Sequence, residues 1–374
     1  MSMLHCNVIR FICFRCHGLL GKPSLKTDQI TWSNLRRSST AKSAKSKAKP
    51  GCLEAEKLLQ QHGLLKMSSN NALSHVGGHR CYTLLGDAAR LEKALVNWTI
   101  KKLVKDYNFT PVVVPTLVYD DIVSSCGFDP HGKRTQVYSI DGLSTEGSSP
   151  RTSKGRSICL AGTSEIPLVG LHLGKRFDVD SDEDCESLPK KYTAMSRCYR
   201  AETSNIEKGM YRLHYFTKVE MVSLCMPSDS EAILQEFVSI QETLFKLLGL
   251  EYRVVDMPPE ELGPAAVKKY DVEAWFPGRQ VFGEISSASN CCERQTCKLN
   301  IRLRRIRDHE DTKDDPEDPF VEEYVHSVNG TACASPRILL PLIETYQTSD
   351  GKIAIPSVLQ PEMDGQKFLN KFSL

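Results

Sequence analysis

RCYRAETSNIEKGMYRLHYFTKVEMV, residues 197–222, reads as two strand-forming runs separated by a polar loop. Successive side chains of a strand point to opposite faces, so Arg212, His214, Phe216, Lys218 and Glu220 share one face. Leu213, Tyr215, Val219 and Met221 share the other, which is expected to pack. The first run puts Arg200 and Glu202 together on a face as well. Guanidinium groups such as Arg200 or Arg212 can grip phosphate oxygens with two donors. Phe216 offers an apolar plane for a base, a contact worth ~1–3 kcal/mol in stacking sites. Glu220, four positions beyond Phe216 on that face, can receive an ammonium or hydroxyl group of a second substrate. A solvated ribbon with cross-strand ion pairs is the plainer alternative, and the hairpin alone does not separate the two.

Two later stretches bear on the choice. FGEISSASN (282–290) adds Glu284 and Ser287, an oxygen pair suited to Mg2+ bridging phosphates. SVNGTACASPRILLPLIETY (327–346) adds Asn329, Thr331 and Arg337. There Ser335 and Pro336 read as N-cap and first helical residue, which predicts Arg337 in the opening turn, where the helix dipole favours an anion. Pro341 then falls inside the helix, at a cost of ~3 kcal/mol or a kink.

Around these motifs, residues 53–64 predict a short amphipathic helix and HRCYTLLG (79–86) a strand. Asp87 reads as the cap of a longer helix ending near Tyr107, with Leu91, Leu95, Trp98 and Leu103 on one stripe. FTPVVVPTLV (109–118) is a strand bracketed by prolines, hence at an edge or distorted position. A helix over 230–248 and strands at 251–257, 270–277 and 280–289 follow. Strands succeeding strands favour an α+β fold with an antiparallel sheet. Segments 141–157, 177–187 and 307–323, rich in Gly/Ser or in acids, read as surface insertions.

The net charge of +2 conceals an asymmetry, for residues 1–50 hold ten Lys/Arg and one acid, Asp28. The remaining 38 basic and 45 acidic residues give no bulk charge for polyanion binding, so such a contact needs a local patch. Arg-containing, Ser-rich and nearly acid-free, residues 1–50 carry the composition of a mitochondrial transit peptide, and their apolar run is too short and interrupted to span a bilayer. Of fourteen cysteines, Cys13 and Cys16 form a CxxC, but it lies within residues 1–50 and has no second pair at zinc-site spacing. Cys291, Cys292 and Cys297 cluster, with no histidine close by in sequence. Reduced, mostly buried thiols are expected.

Taken in order, these segments resemble the class II aminoacyl-tRNA synthetases, and within them the seryl enzymes of the mitochondrial type. Helix 88–107 with FTPVVVPTLV resembles the first class motif, the opening hairpin the second, and VNGTACASPRILLPLIETYQTSDGKIAIPSVLQPEM (328–363) the third. LAGTSE (160–165), YDVEAWFPGRQVFGEISSASN (270–290) and DGKIAIPSVLQP (350–361) are similar to seryl enzymes in particular. The resemblance covers about 53–364 and implies a six- or seven-stranded antiparallel sheet flanked by helices, a catalytic domain over 51–374, and a homodimer in the mitochondrial matrix. It implies activation of L-serine by ATP with Mg2+, then transfer to mitochondrial serine tRNA.

By the same resemblance, Arg200 holds the α-phosphate, and Ala201, Glu202 and the backbone near Leu213 contact ATP. Phe216 stacks on adenine, Arg337 clamps the γ-phosphate, and Glu284 through Ile285, Ser286 and Ser287 borders the nucleotide, with Glu284 and Ser287 on Mg2+. Thr163, Ser164, Glu165, Glu220, Asn329 and Thr331 read serine. Two departures stand out. The family's N-terminal coiled-coil arm has no counterpart, since no heptad pattern is sustained. ERQTCK (293–298) also replaces an acid–Phe–Gln stretch followed by paired basic residues. The competing readings are a synthetase-like protein that no longer charges tRNA and has a regulatory or binding role, or an arm-less ligase that loads a carrier protein.

Overall fold

The computed structural model describes residues 52–68, 72–132, 135–140, 157–179, 188–202, 209–306 and 320–372. The expected transit peptide and the segment 141–156 lie outside them.

The expected sheet is present and has seven strands. In chain order they are β1 (Thr110–Pro111), β2 (Lys190–Tyr199), β3 (Tyr215–Cys225), β4 (Tyr252–Asp256), β5 (Lys268–Phe276), β6 (Val281–Cys292) and β7 (His326–Ser335). Their spatial order is β4-β5-β6-β7-β3-β2-β1. Every adjacent pair is antiparallel except β1 and β2 at the edge. Pro111 ends that two-residue edge strand, as its missing N–H requires. Val112 donates one more hydrogen bond to Thr193 (2.8 Å). The chain then leaves the sheet, so the strand expected over 109–118 is split, its last residues joining a separate small sheet at Leu117–Tyr119.

Among the described residues the helices are α1 (Ala55–Gln61), α2 (Gly86–Tyr107), α3 (Glu165–Gly170), α4 (Ser230–Leu247) and α5 (Leu339–Thr345), with two further short ones at Ala72–Gly77 and Asp120–Ser125. The predicted stripe of α2, Leu91, Leu95, Trp98 and Leu103, is buried in one cluster with Phe237, Leu244 and Phe245 of α4 and with Val219 and Met221 of β3. Asp87 is not the cap; it lies within the first turn, and its carboxylate instead accepts the Asn370 N–H (2.9 Å) and pairs with Arg90 (3.0 Å), fastening the C-terminal segment.

On the opposite face, Val222 and Leu224 belong to a second cluster with Ile166, Phe177 and Leu303. Thus β3 is covered on both faces. By strand parity Phe216, Lys218 and Glu220 share the face of Val222 and Leu224, so that face is polar at one end and apolar at the other. The polar end is no solvated ribbon: Lys218 is 5% and Glu220 1% exposed.

Three expectations about the motifs need correction. First, β2 ends at Tyr199 and β3 begins at Tyr215, so Arg200, Glu202, Arg212 and His214 stand on connecting loops, not on strand faces. Secondly, Ser335 is the last residue of β7 and its hydroxyl donates to Glu92 (2.8 Å); α5 starts only at Leu339, so Arg337 occupies the turn before the helix. Thirdly, Pro341 is therefore the third residue of α5. The first four N–H groups of a helix have no intrahelical acceptor, so proline there removes nothing and no kink is called for.

The acidic segments are narrower than expected. Arg176–Asp178 and Phe320–Tyr324 flank Arg302–Ile306 in a three-stranded sheet, with Phe177 fully buried. Residues 180–187 and 307–319 lie outside the described residues. The described cysteines form no disulfide and most are buried. No helix among the described residues is long and apolar enough to cross a membrane.

Candidate functional site

A cleft of about 170 Å3 opens over the centre of the sheet, where β6, β7 and β3 lie side by side. Of the site residues expected from sequence, all except Ser164 and Ala201 line it. Ser164 is the N-cap residue of α3 and is fully buried. The Ala201 N–H donates to Gln136 O (2.8 Å), so that group is already used within the fold.

Sheet register explains why residues distant in sequence meet. Thr331 of β7 lies directly opposite Glu220 of β3, and its hydroxyl reaches the carboxylate at 3.2 Å. Val272 of β5 pairs with Ser286 of β6 but Glu273 pairs with Glu284, leaving Ile285 of β6 as the extra residue of a bulge. Residues three apart on a regular strand face opposite ways. The bulge restores one step, so both Glu284 and Ser287 line the cleft. Gln241 of α4 braces this region from below, donating to Ser287 O (2.8 Å) and Thr331 O (2.9 Å).

The floor is a buried polar chain. Lys218 Nζ pairs with Glu220 at 2.6 Å and donates to Thr163 Oγ1 at 2.7 Å. Beside it Glu165 accepts from Gln295 (2.6 Å) and Asn329 (2.9 Å). Burial, and then the charge of Glu220, push the Glu165 carboxyl up to about 7, against the opposing pull of Lys218. The carboxyl is therefore poised to ionise when a cation enters.

Toward the mouth, the Arg200 guanidinium lies 5.2 Å over the Phe216 ring, and its Nε reaches Gly162 O at 3.4 Å. The main chain of Arg200 is tied to His214, whose ring in turn meets the Tyr138 hydroxyl at 2.7 Å. Arg212 pairs with Glu202 at 2.8 Å. Arg337 pairs with Glu284 at 3.5 Å and lies 4.7 Å over Tyr211, whose hydroxyl donates to Glu284 O (2.8 Å). Cations and carboxylates thus alternate along the cleft. An anionic ligand would find Arg200, Arg212 and Arg337 at the mouth, and an ammonium would find Glu165 and Glu220 at the floor.

Four participants carry no role in the sequence reading. Lys218 was signalled by strand parity, since it falls between Phe216 and Glu220. Tyr211 sits in a short 3-10 turn, Gln241 in the middle of α4, and Gln295 is 130 residues from the Glu165 it binds. Nothing local in their sequence marks them. A larger adjoining space of about 480 Å3 shares Glu165, Arg200, Glu284, Ser287 and Asn329 with the cleft.

Residues 148–346 match the tRNA synthetase class II core domain (G, H, P, S and T). The chain is 40% identical over 293 residues to the mitochondrial serine–tRNA ligase of Bos taurus, covering 77% of this chain and 51% of that protein. It is 39% identical over 302 residues to the mitochondrial enzyme of Saccharomyces cerevisiae, covering 79% and 61%. It spans about half to three fifths of these relatives' length. Among solved structures it is similar to seryl-tRNA synthetase from Pyrococcus horikoshii complexed with ATP, at TM-score 0.70 and 30% identity over 86% of this chain and 64% of that one. The cytoplasmic serine–tRNA ligase of Naegleria fowleri in complex with AMP gives 0.71 and 32% over 86% and 68%. The match over more than half the chain, on a seven-stranded sheet whose centre carries the cleft, places this protein in the class II tRNA synthetase core family.

Proposed function

We propose that this chain activates L-serine with ATP and transfers it to mitochondrial serine tRNA, acting as a homodimer in the mitochondrial matrix. The observation that carries the reading is the floor of the cleft. Two buried carboxylates, a lysine paired with one of them and a threonine hydroxyl make a polar cavity suited to a small amino acid bearing a hydroxyl. The ATP and AMP complexes of the two structural relatives support a nucleotide above it. The mitochondrial names of the relatives and the basic, acid-poor residues 1–50, read as a transit peptide ahead of a catalytic domain over 51–374, support the location.

In this reading the serine ammonium lies against Glu165 and Glu220, and its hydroxyl against Glu220 and Thr331, with Thr163 and Asn329 completing the enclosure. A site built to hydrogen-bond a hydroxyl rejects alanine because its polar groups are then left unpaired. Adenine stacks on Phe216 with Glu202 and Leu213 nearby, Arg200 holds the α-phosphate, and Arg337 the γ-phosphate. A serine carboxylate oxygen attacks the α-phosphorus and pyrophosphate leaves. Arg200 offsets the charge that gathers on the α-phosphate oxygens. A ribose hydroxyl of the tRNA end then attacks the acyl carbon and AMP leaves. Most of the catalysis is positioning and charge neutralisation.

The donor set of Glu284 and Ser287, two hard oxygens turned to one face by the bulge, fits Mg2+ carried by ATP. The ion would neutralise phosphate charge there. The test is charging of a mitochondrial serine tRNA transcript with labelled serine by the purified chain. Acid-precipitable seryl-tRNA is expected; seryl-adenylate formation without charging would contradict the transfer half of the proposal.

A further inference from the structure

We propose that Cys292, Glu293 and His326 form a binding site for a divalent transition metal, with zinc(II) the ion their chemistry fits best. The sequence places no histidine beside the cysteine cluster, but the sheet does. Cys292 closes β6 opposite Ser327 of β7, next to His326. A register shift between Asn290 and Cys292 and a φ of 46° at Cys292 re-aim this end of β6, and Asn290 Oδ1 accepts the Cys292 N–H at 2.9 Å.

One ligand atom from each of the three side chains falls within 4.8 Å of the others. His326 Nε2 stands 3.4 Å from a Glu293 oxygen. Zinc bonds of ~2.0–2.2 Å at a tetrahedral angle separate nitrogen and oxygen ligands by about 3.4 Å. The other ring nitrogen of His326 meets Ser230 Oγ at 3.0 Å, the outer-sphere contact that orients a metal-binding imidazole. Thiolate, carboxylate and neutral imidazole together offer two negative charges to a dication, and three protein ligands leave a fourth position for water. The His326 side chain is 16% and that of Glu293 54% exposed, so the ion can enter from the rim.

The site is separate from the cleft, about 25 Å along β6 from Glu284 at ~3.3 Å per residue. Its bound ion would join the ends of β6 and β7 to the start of the turn that carries Gln295, the residue holding Glu165.

The test uses the full chain stripped of metal with a chelator and titrated with cobalt(II). A thiolate-to-cobalt charge-transfer band saturating at one ion per chain, and displaced by zinc(II), is expected. Cys292→Ser should abolish the band, His326→Gln should weaken binding at least tenfold, and Cys297→Ser, a neighbouring thiol outside the triad, should leave it unchanged. Zinc(II) should also raise the unfolding midpoint of the parent chain but not that of H326Q, a readout that stands if C292S folds poorly. Absence of a band in the parent chain, a band that survives C292S, or one lost in C297S would overturn the site.

Discussion

Glu220 is the residue whose replacement separates substrate reading from structural support. Its carboxylate faces Thr331 and is paired with Lys218, which is itself 5% exposed. Glu220→Ala therefore leaves a buried ammonium without its counter-charge, which costs about 3–5 kcal/mol. In a domain of this size that lowers the unfolding midpoint by roughly 5 °C. An activity loss in that variant alone would be ambiguous. Glu220→Gln keeps the shape and an acceptor for Lys218 and Thr331 but removes the charge that the proposed serine ammonium would meet. A hydrogen bond to a charged group is worth about 1.5–3 kcal/mol, so kcat/KM for serine should fall about 10–100-fold in E220Q. The KM for ATP should move by less than about twofold, because the nucleotide contacts proposed above lie at the mouth. Serine-dependent ATP–pyrophosphate exchange measures both. Exchange near the parent rate in E220Q, or an ATP KM shifted as much as that of serine, would refute the assignment of the floor to serine.

The raised Glu165 carboxyl gives a pH signature. Held up to about 7 by burial and by Glu220, it is only partly ionised near neutrality, so the KM for serine should fall as pH rises through about 7 and then level off. Glu165→Gln should flatten that profile; an unchanged slope would reject it. The same shift has a stability consequence of fixed sign. Between the usual carboxylate range and about 7 the folded chain binds the extra proton, so raising pH through that window destabilises it, and less so in E165Q. Arg337→Ala removes the partner of Glu284 and the stack on Tyr211, and should raise the KM for ATP about tenfold or more with serine's KM little changed. Arg337→Lys should not restore it, since a point charge cannot reproduce the planar stack. Gln241→Leu removes the side-chain donor that Ser287 O and Thr331 O share, while Thr331 O keeps the Ser286 hydroxyl as a donor at 2.5 Å. A loss of about 1–3 kcal/mol in urea denaturation is expected, and an unchanged midpoint would show that the brace is dispensable.

The sheet and the stripe of α2 were legible because period-2 and period-3.6 patterns are local. Strand parity puts Lys218 and Glu220 on one face, as the structure does, but it leaves open whether that face is solvated. Burial is set by the covering residues, here Thr163 and Thr331 from other segments, and strand parity does not carry that information. The bulge at Ile285 leaves no mark on FGEISSASN, yet without it Glu284 and Ser287 would face apart. The helix start near Arg337 was misplaced because Ser335 and Pro336 look like a cap. The β7 ladder runs through Ser335 and the hydroxyl binds Glu92 instead. Contacts such as Gln295 to Glu165 span the fold and were beyond any local pattern.

Serine activation at this cleft is read out by ATP–pyrophosphate exchange by the purified chain across a panel of amino acids. Exchange is expected with L-serine, strongly reduced with alanine, and absent without an amino acid. A folded, ATP-binding chain that shows no serine-dependent exchange, or that accepts alanine as readily as serine, would contradict it.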